Sequence, residues 1–394
     1  MTSASVASPL DFRASVPYGS DLRILLNSDL VSQGDIRELL QAKGIFVGTS
    51  EKQVTVPILS STLLTPPEFL SLIEKSVSRE LSPKIRTYRF SLETADADWA
   101  EAIIQEFRGE NFASLIDPAG NVKIKSAPTI TVDQDGRVKI AYSLLRQDIS
   151  QDWIKREIEY PAEIILEQKT SGLSLEAALS RTSKETNDFN NKLLKRAAEA
   201  LKKSNLIKDQ EPNKISFNAF TDSERVLFFK KLTAGTAGYL ALEAVNDMEI
   251  GRDDGMPALP DDPKISWMKH TVRKIIIDGE RLNDIFFLSD DQYYEYYFVQ
   301  RMDATFNYTF AQNSGTARVG FHFTTSKPEE RQKAEFEYEV VSASPAKGRM
   351  NKDARKDIAK SLQRAIQDLI EREYNSIVAA RVTVPAASAP TNTV

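Results

Sequence analysis

Lysine and arginine recur at helical spacing in two places, and these are the residues best arranged to do chemistry. Between Lys192 and Lys208 the chain carries Lys192, Lys195, Arg196, Lys202, Lys203 and Lys208 against a single acid, Glu199. Further on, Lys352, Lys356, Lys360 and Arg364 repeat every four residues. Cations stacked on one helix face neutralise phosphates and fix the register of a nucleic acid without reading its bases. The same face serves an acidic protein partner equally well. A solvated helix face, with Asp353 and Asp357 in relief, is the plainer alternative.

A second set of residues points to catalysis. Glu167 and Lys169 end an expected strand, and Asp133 and Asp135 sit in a turn upstream. Two carboxylates holding Mg²⁺ beside a lysine form the minimal set for phosphodiester hydrolysis, and in these few letters the chain resembles the PD-(D/E)xK nucleases. Charged triplets are common in a chain with 27% charged residues, so the bland reading is a solvated strand end. The two histidines, His270 and His322, have no neighbouring ligand pair, and His322 alternates out of an apolar strand face onto the wet side. Neither a phosphate-binding glycine loop nor a nucleophile elbow is present. The pairs Asp253-Asp254 and Asp261-Asp262 read as a solvated linker. No metal, cofactor or enzymatic role is called for, and the nuclease reading stays a distant third.

A third feature is aromatic. Tyr293, Tyr294, Tyr296 and Tyr297 surround Glu295 in a stretch expected as a strand with rings on both faces. One set belongs to the core; the other is expected at an interface with a protein, including another copy of this chain.

The elements that must carry these residues follow from periodicity. Phe306/Tyr308/Phe310, Val319/Phe321/Phe323 and Ala334/Phe336/Tyr338/Val340 alternate with polar residues, the pattern of antiparallel strands covered on one face. Ile358, Leu362, Ile366 and Ile370, widened by Leu369 and Ile377, form the stripe of a long covering helix. The Lys352–Arg364 ridge lies about 200° around that helix, facing away from the core. Upstream, strands are expected at 86–90, 122–145 and 158–166, with a turn at Asp133-Gln134-Asp135-Gly136. A short helix around Trp99, Ile103 and Phe107 is expected to be capped by Asp96. A longer helix from Ser174 to about Leu201 is expected to bury Phe189, Leu193, Ala197 and Leu201. Residues 138–204 and 317–378 share the order strand, charged connection, strand, long helix, which suggests an internal duplication. If it holds, the two basic ridges are equivalent and share one groove. Thr221 to Glu224 is a capping box, and 252–264 is acidic, proline-rich and linker-like.

Residues 21–80 form a small helical module. Ser32 caps a helix bearing Ile36, Leu39 and Leu40, which ends at Lys43-Gly44; Thr65-Pro66 opens a later one. The string DIRELLQAKGIFVGTSEKQVTVPILSSTLL resembles the helix–extended loop–helix family, related to SAP and LEM motifs. The resemblance rests on Ile36, Leu39, Leu40, Gly44-Ile45 and Lys52, and covers about 30 residues. It implies DNA or RNA binding, through Lys43 and Lys52 here, or a protein partner in the LEM manner. Pro57 is expected in the first turn of the second helix.

With 394 residues and 41% hydrophobic content, the chain has room for several cores. Zero cysteines excludes disulfides and thiol catalysis and suits the cytoplasm. A net charge of −5 confines any nucleic-acid contact to local patches. No apolar run is long enough for a membrane span, and the first residues lack a secretory pattern. The expected organisation is α+β: a disordered tail over 1–18, the helical module over 19–82, sheet-plus-helix domains over 84–207 and 265–381 joined by 208–264, and a disordered tail over 382–394. The expected function is a non-enzymatic nucleic-acid-associated protein, DNA or RNA, contacting phosphates. The alternative is a protein-interaction or assembly subunit, a homo- or hetero-oligomeric scaffold without nucleic acid.

Overall fold

In a computed structural model the described residues are 18–383, apart from 28–30, 70, 73–82, 96–97, 110, 118–119, 148–156, 170–171, 254, 269–273, 280–281, 283–284, 312, 326 and 347–351. His270, Asp96, Asp254 and both expected tails beyond this span lie outside them, as do the side chains of Lys352, Asp353 and Lys356. The chain divides into two units. The first comprises 1–82, 116–126 and 143–161; the second comprises 83–115, 127–142 and 162–394.

In the first unit, helices α1 (Gly19–Asn27), α2 (Gln33–Ala42) and α3 (Lys52–Ser60) enclose Leu22, Leu25, Leu26, Ile36, Leu40, Val56 and Leu59. The hydroxyl of Ser32 accepts from the Asp35 amide while Asp35 accepts from Ser32, so the expected cap is a reciprocal one. Gly44 takes φ +77°, the left-handed geometry that ends α2 cheaply only at glycine. Pro57 departs from expectation, since α3 starts five residues earlier and holds the proline in its interior.

The second unit is built on one antiparallel sheet. Its strands are β1 (Lys84–Ser91), β2 (Val122–Val132), β3 (Val138–Gln147), β4 (Glu157–Gln168), β5 (Ser174–Arg181), β6 (Asn213–Lys214), β7 (Leu240–Gly251), β8 (Lys274–Asp278), β9 (Phe298–Phe310), β10 (Asn313–Phe323) and β11 (Phe336–Pro345). The order is β2-β3-β4-β5-β1-β11-β10-β9-β7-β8, with β6 also beside β1. Parts of β2, β3 and β4 fall in the residue ranges of the first unit. Pro128 is accommodated because β2 is an outermost strand, where a missing N–H donor breaks no ladder. The regions 84–207 and 265–381 therefore do not each build a sheet of their own: Lys84 and Ile85 of β1 pair with Glu339 and Tyr338 of β11.

The longer helices of this unit are α4 (Trp99–Phe107), α5 (Lys184–Lys203), α6 (Asp222–Leu232) and α7 (Lys352–Thr383). The apolar stripe of α7 lies where periodicity puts it, with Ile358, Leu362, Ile366, Leu369, Ile370 and Ile377 buried against Phe306, Val319, Phe321, Phe336 and Tyr338. Asp98, not Asp96, caps α4. Helix α5 starts at Lys184, behind a Ser183–Thr186 capping box, and the ten residues before it are not helical; 174–181 is strand β5.

Both halves of this unit follow one order: strand, helix, a run of antiparallel strands, long helix. In the first half the first strand pairs with the last, and in the second the segment after β6 bridges to the start of β11. Strand β1 runs antiparallel to β5 from Lys84↔Arg181 to Ser91↔Ser174. Residues 215–217 meet 334–336 through Phe217 N to Ala334 O and Phe336 N to Ile215 O, both 2.8 Å. The corresponding segments are β4–β5–α5 and β10–β11–α7, one strand displaced from the alignment that the charged lead-ins suggest.

The two long helices lie on opposite faces of the sheet. Tyr88 and Arg89 are adjacent on β1 and point to opposite sides. Tyr88 and Phe90 lie against Leu194, Lys195 and Ala198 of α5. Arg89 instead reaches Glu371 of α7 at 3.0 Å. Strand β5, sandwiched between them, is buried on both faces.

Candidate functional site

Four elements of the second unit converge along the first half of α7. The β2–β3 turn brings Asp133, Asp135 and Arg137; the turn between α6 and β7 brings Thr236 and Tyr239; the tip of β9 brings Phe310; and α7 brings Lys360, Ser361, Arg364, Ala365 and Asp368. They enclose a cleft of 570 Å³. The turn chemistry is local: Asp133 Oδ1 accepts from the amides of Asp135 (2.9 Å) and Arg137 (3.0 Å), and Gly136 takes φ +77°. Gly235 is required for a different reason. Its φ is +65°, and a Cβ there would collide with the Leu240 carbonyl. That turn is pinned to α7 by Arg372, which donates to the Gly235 carbonyl at 2.8 Å.

Aromatic and basic groups share this cleft. Tyr308 stacks on Phe310 at 5.6 Å and 18°, and Phe310 stacks on Tyr239 at 6.1 Å and 22°. The stack starts in the core and ends on Tyr239, which is 55% exposed. Lys360 and Arg364 are exposed along the α7 ridge one turn apart. Arg364 lies 3.3 Å from Asp135, an ion pair between two well-exposed groups that constrains the guanidinium little. Arg137 is held by Glu167 at 2.7 Å. The ridge ends at Asp368, one turn beyond Arg364.

The expected catalytic set does not assemble. Glu167 is the partner of Arg137, and Asp133 is consumed by its own turn. Lys169 lies between Glu371 (3.2 Å), Asp368 (3.4 Å) and Glu176 (3.5 Å). Burial would lower the ammonium pKa, but Glu176 and Glu371 outweigh it and raise it, so Lys169 serves as a counter-ion. Among the described residues no group of three or more His, Asp or Glu is arranged to hold a metal ion.

His322 is also not on a wet face. Its Nε2 lies 2.8 Å from Oε1 of buried Glu337, which Arg86 and Arg181 also grip at 3.0 and 2.6 Å. Burial would raise the Glu337 pKa, but His322 and Arg181 overcome it and hold the carboxyl far below the usual range. The Tyr-rich stretch is corrected too. Asp291–Tyr296 is a 3₁₀ helix, and Tyr293, Tyr294 and Tyr297 are buried, with only Tyr296 partly open. The Tyr297 hydroxyl donates to the Phe287 carbonyl at 3.0 Å, and that of Tyr294 to the Leu288 carbonyl at 2.6 Å. These rings offer no stacking surface.

The remaining basic residues divide. On α5, Lys192 donates to the Leu115 carbonyl at 2.6 Å and Lys203 lies 3.6 Å from Glu106, while Lys195 borders a separate cavity of 310 Å³ with Lys214 and Glu335. Lys202 and Lys208 bond to each other through the Lys208 carbonyl, and Arg196 is half-buried. Because α5 and α7 occupy opposite faces, the two ridges do not form the single groove that the repeat suggested. In the first unit, Lys43 donates to the Leu63 carbonyl at 2.7 Å and to Glu68 at 2.9 Å, and Lys52 is half-buried at the start of α3.

A family model described as the GAPS4b protein N-terminal domain matches residues 20–82. No curated protein and no solved structure matches the chain. All of α2 and α3 and all but the first residue of α1 fall in the matched span, and the cleft beside α7 lies outside it.

Among the cleft residues that sequence reading misses are Tyr239, Phe310 as a ring partner, and Arg137. Phe310 carries a visible signal, since it is the last member of an alternating apolar run and so stands where the sheet ends. Tyr239 carries none beyond its place after Gly238 in a turn.

Proposed function

We propose that this is a non-enzymatic, cytoplasmic protein that associates with nucleic acid, contacting phosphates through the exposed cations of α7. The observation that carries this reading is the opening of Lys360 and Arg364 onto the same cleft as the exposed end of an aromatic stack. Phosphate contacts give affinity without sequence discrimination, and a flat ring beside them engages bases of any identity. The chain's acidic balance confines the contact to such a patch. No described helix is long and apolar enough to cross a membrane.

Anisotropy of fluorescein-labelled oligonucleotides, titrated with the full chain between about 50 and 300 mM salt, tests the reading. Binding that weakens steadily with salt and is lost in Lys360→Glu/Arg364→Glu is expected. No binding at the lowest salt overturns it.

A second reading, a protein-assembly subunit, is favoured by a different observation. In the first unit Phe46 is 81% and Leu63 87% exposed, large apolar side chains left open to solvent that a protein partner would cover. The resemblance of this unit to helix–extended loop–helix modules includes members with protein partners. Sedimentation of the full chain and of a Phe46→Ser/Leu63→Ser variant decides it: a self-associated state lost in the variant supports assembly, and a monomer in both removes self-assembly.

A further inference from the structure

The proposed function leaves open which form of nucleic acid the α7 cleft accepts. Resting on that reading, we infer that the cleft is built for a single strand, with an unpaired base laid on Tyr239 and the adjoining phosphates on Lys360 and Arg364.

An exposed tyrosine on a loop is ordinarily free to turn away, but Tyr239 is fixed. Its backbone is tied to β9 by Thr309 N to Tyr239 O at 2.9 Å and to its own turn by Tyr239 N to Thr236 O at 3.0 Å. Its ring rests on Phe310, which rests on Tyr308, whose hydroxyl donates to the Ser344 carbonyl at 3.2 Å. One ring face is used by Phe310, and the side chain is still more than half exposed. A preorganised ring with an open side is the platform on which unstacked bases settle.

The shape of the site selects against a duplex. In a double helix each base is covered above and below by its neighbours and paired at its edge, so its flat face is closed to a tyrosine. The cations of the α7 ridge and the Tyr239 ring line one cleft, with the β2–β3 turn on its other side. Lys360 has no ion-pair partner among the described residues, and Arg364 has only the exposed Asp135. Asp133, Asp135 and Asp368 line the cleft together with Lys360 and Arg364, so it has cations for one phosphate backbone and carboxylates that oppose a second. One strand, with two phosphates on Lys360 and Arg364 and a base laid on Tyr239, uses the cations and the ring that the cleft offers.

The test uses the full-length protein and four labelled probes at equal length: oligo-dT, oligo-rU, a mixed-sequence DNA single strand and its duplex. Single strands are expected to bind at least ten times more tightly than the duplex. Tyr239→Ala should weaken single-strand binding about ten-fold or more, while Tyr239→Phe keeps it, because stacking needs the ring and not the hydroxyl. The salt slope should be about −1.4, for two phosphates on a single strand. Duplex binding as tight as single-strand binding, still lost in Lys360→Glu/Arg364→Glu, overturns the inference and leaves the proposed function standing. Unchanged single-strand binding in Tyr239→Ala overturns it too. Failure of every probe at low salt sinks both.

Discussion

Single side chains show how the charges of this protein are committed. Glu337 sits between two arginines and a histidine, so its charge belongs to the sheet rather than to a ligand. Glu176 is the opposite case. It is buried on β5 beneath α7, where Gln367 donates to it, Lys169 lies at 3.5 Å, and Arg89 and Glu371 stand nearby. Burial pushes its carboxyl up to about 7, with Lys169 pulling it down and Glu371 adding to the rise. Glu371 itself is held low: burial would raise it, but Arg89 and Lys169 outweigh that. The folded chain thus keeps a proton on Glu176 that the unfolded chain releases near 4.5, and stability from this site is lost as pH rises from about 4.5 to about 7. Glu176→Gln, neutral at every pH, should gain on the wild type across that window by ~1–3 kcal/mol in urea unfolding. A stability difference that stays flat with pH would refute this account. None of this was legible in the sequence, where Glu176 lies in a stretch of good helix formers.

At the scale of elements, what could be read and what could not have separate physical causes. The α7 stripe, the β9–β11 alternation and the caps at Ser32 and Thr221 are local patterns, and local patterns survive folding. Strand β5 is different. SLEAALSR has the composition of a helix and runs straight into one, yet it is a strand because β1 and β4 pair it and helices cover both its faces. The acidic proline-rich segment 252–264 is not a free linker either. Arg252 donates to the Tyr296 carbonyl at 2.7 Å, Asp253 pairs with Arg331 at 2.7 Å, and Met256 and Leu259 pack on the core. Proline there serves fixed turns, which composition alone cannot tell from flexibility. The turn holding Tyr239 depends on Gly235 in the same non-local way. Gly235→Ala must adopt φ +65° and relieve a clash with the Leu240 carbonyl, so a loss of more than about 1 kcal/mol is expected. Urea midpoints measure it, and an unchanged midpoint would show that the turn relaxes freely.

At the scale of the molecule, sequence reading led to two sheet domains whose basic helices meet in one groove. The sheet of the second unit contradicts that groove, since β1 of the first half pairs with β11 of the second, and Tyr88 and Arg89 send α5 and α7 to opposite faces. The cause lies in pairing between distant segments, which leaves no periodic trace in either. Two ridges in one groove would act together, so reversing charges on either would cost affinity in proportion to the cations removed. Ridges on opposite faces act separately, and only the one beside an open cleft and a fixed ring should matter. Lys192→Glu/Lys195→Glu/Lys202→Glu on α5 removes three cations, yet should change oligonucleotide affinity less than about two-fold. Lys360→Glu/Arg364→Glu on α7 removes two and should weaken it at least ten-fold, with a smaller salt slope. These changes are at exposed positions, and circular dichroism and urea midpoints near those of the wild type would confirm that both variants fold. Equal losses from the two variants would mean that one nucleic acid spans both faces, and a loss from the α5 variant alone would move the contact to the face that carries Lys195 and Lys214.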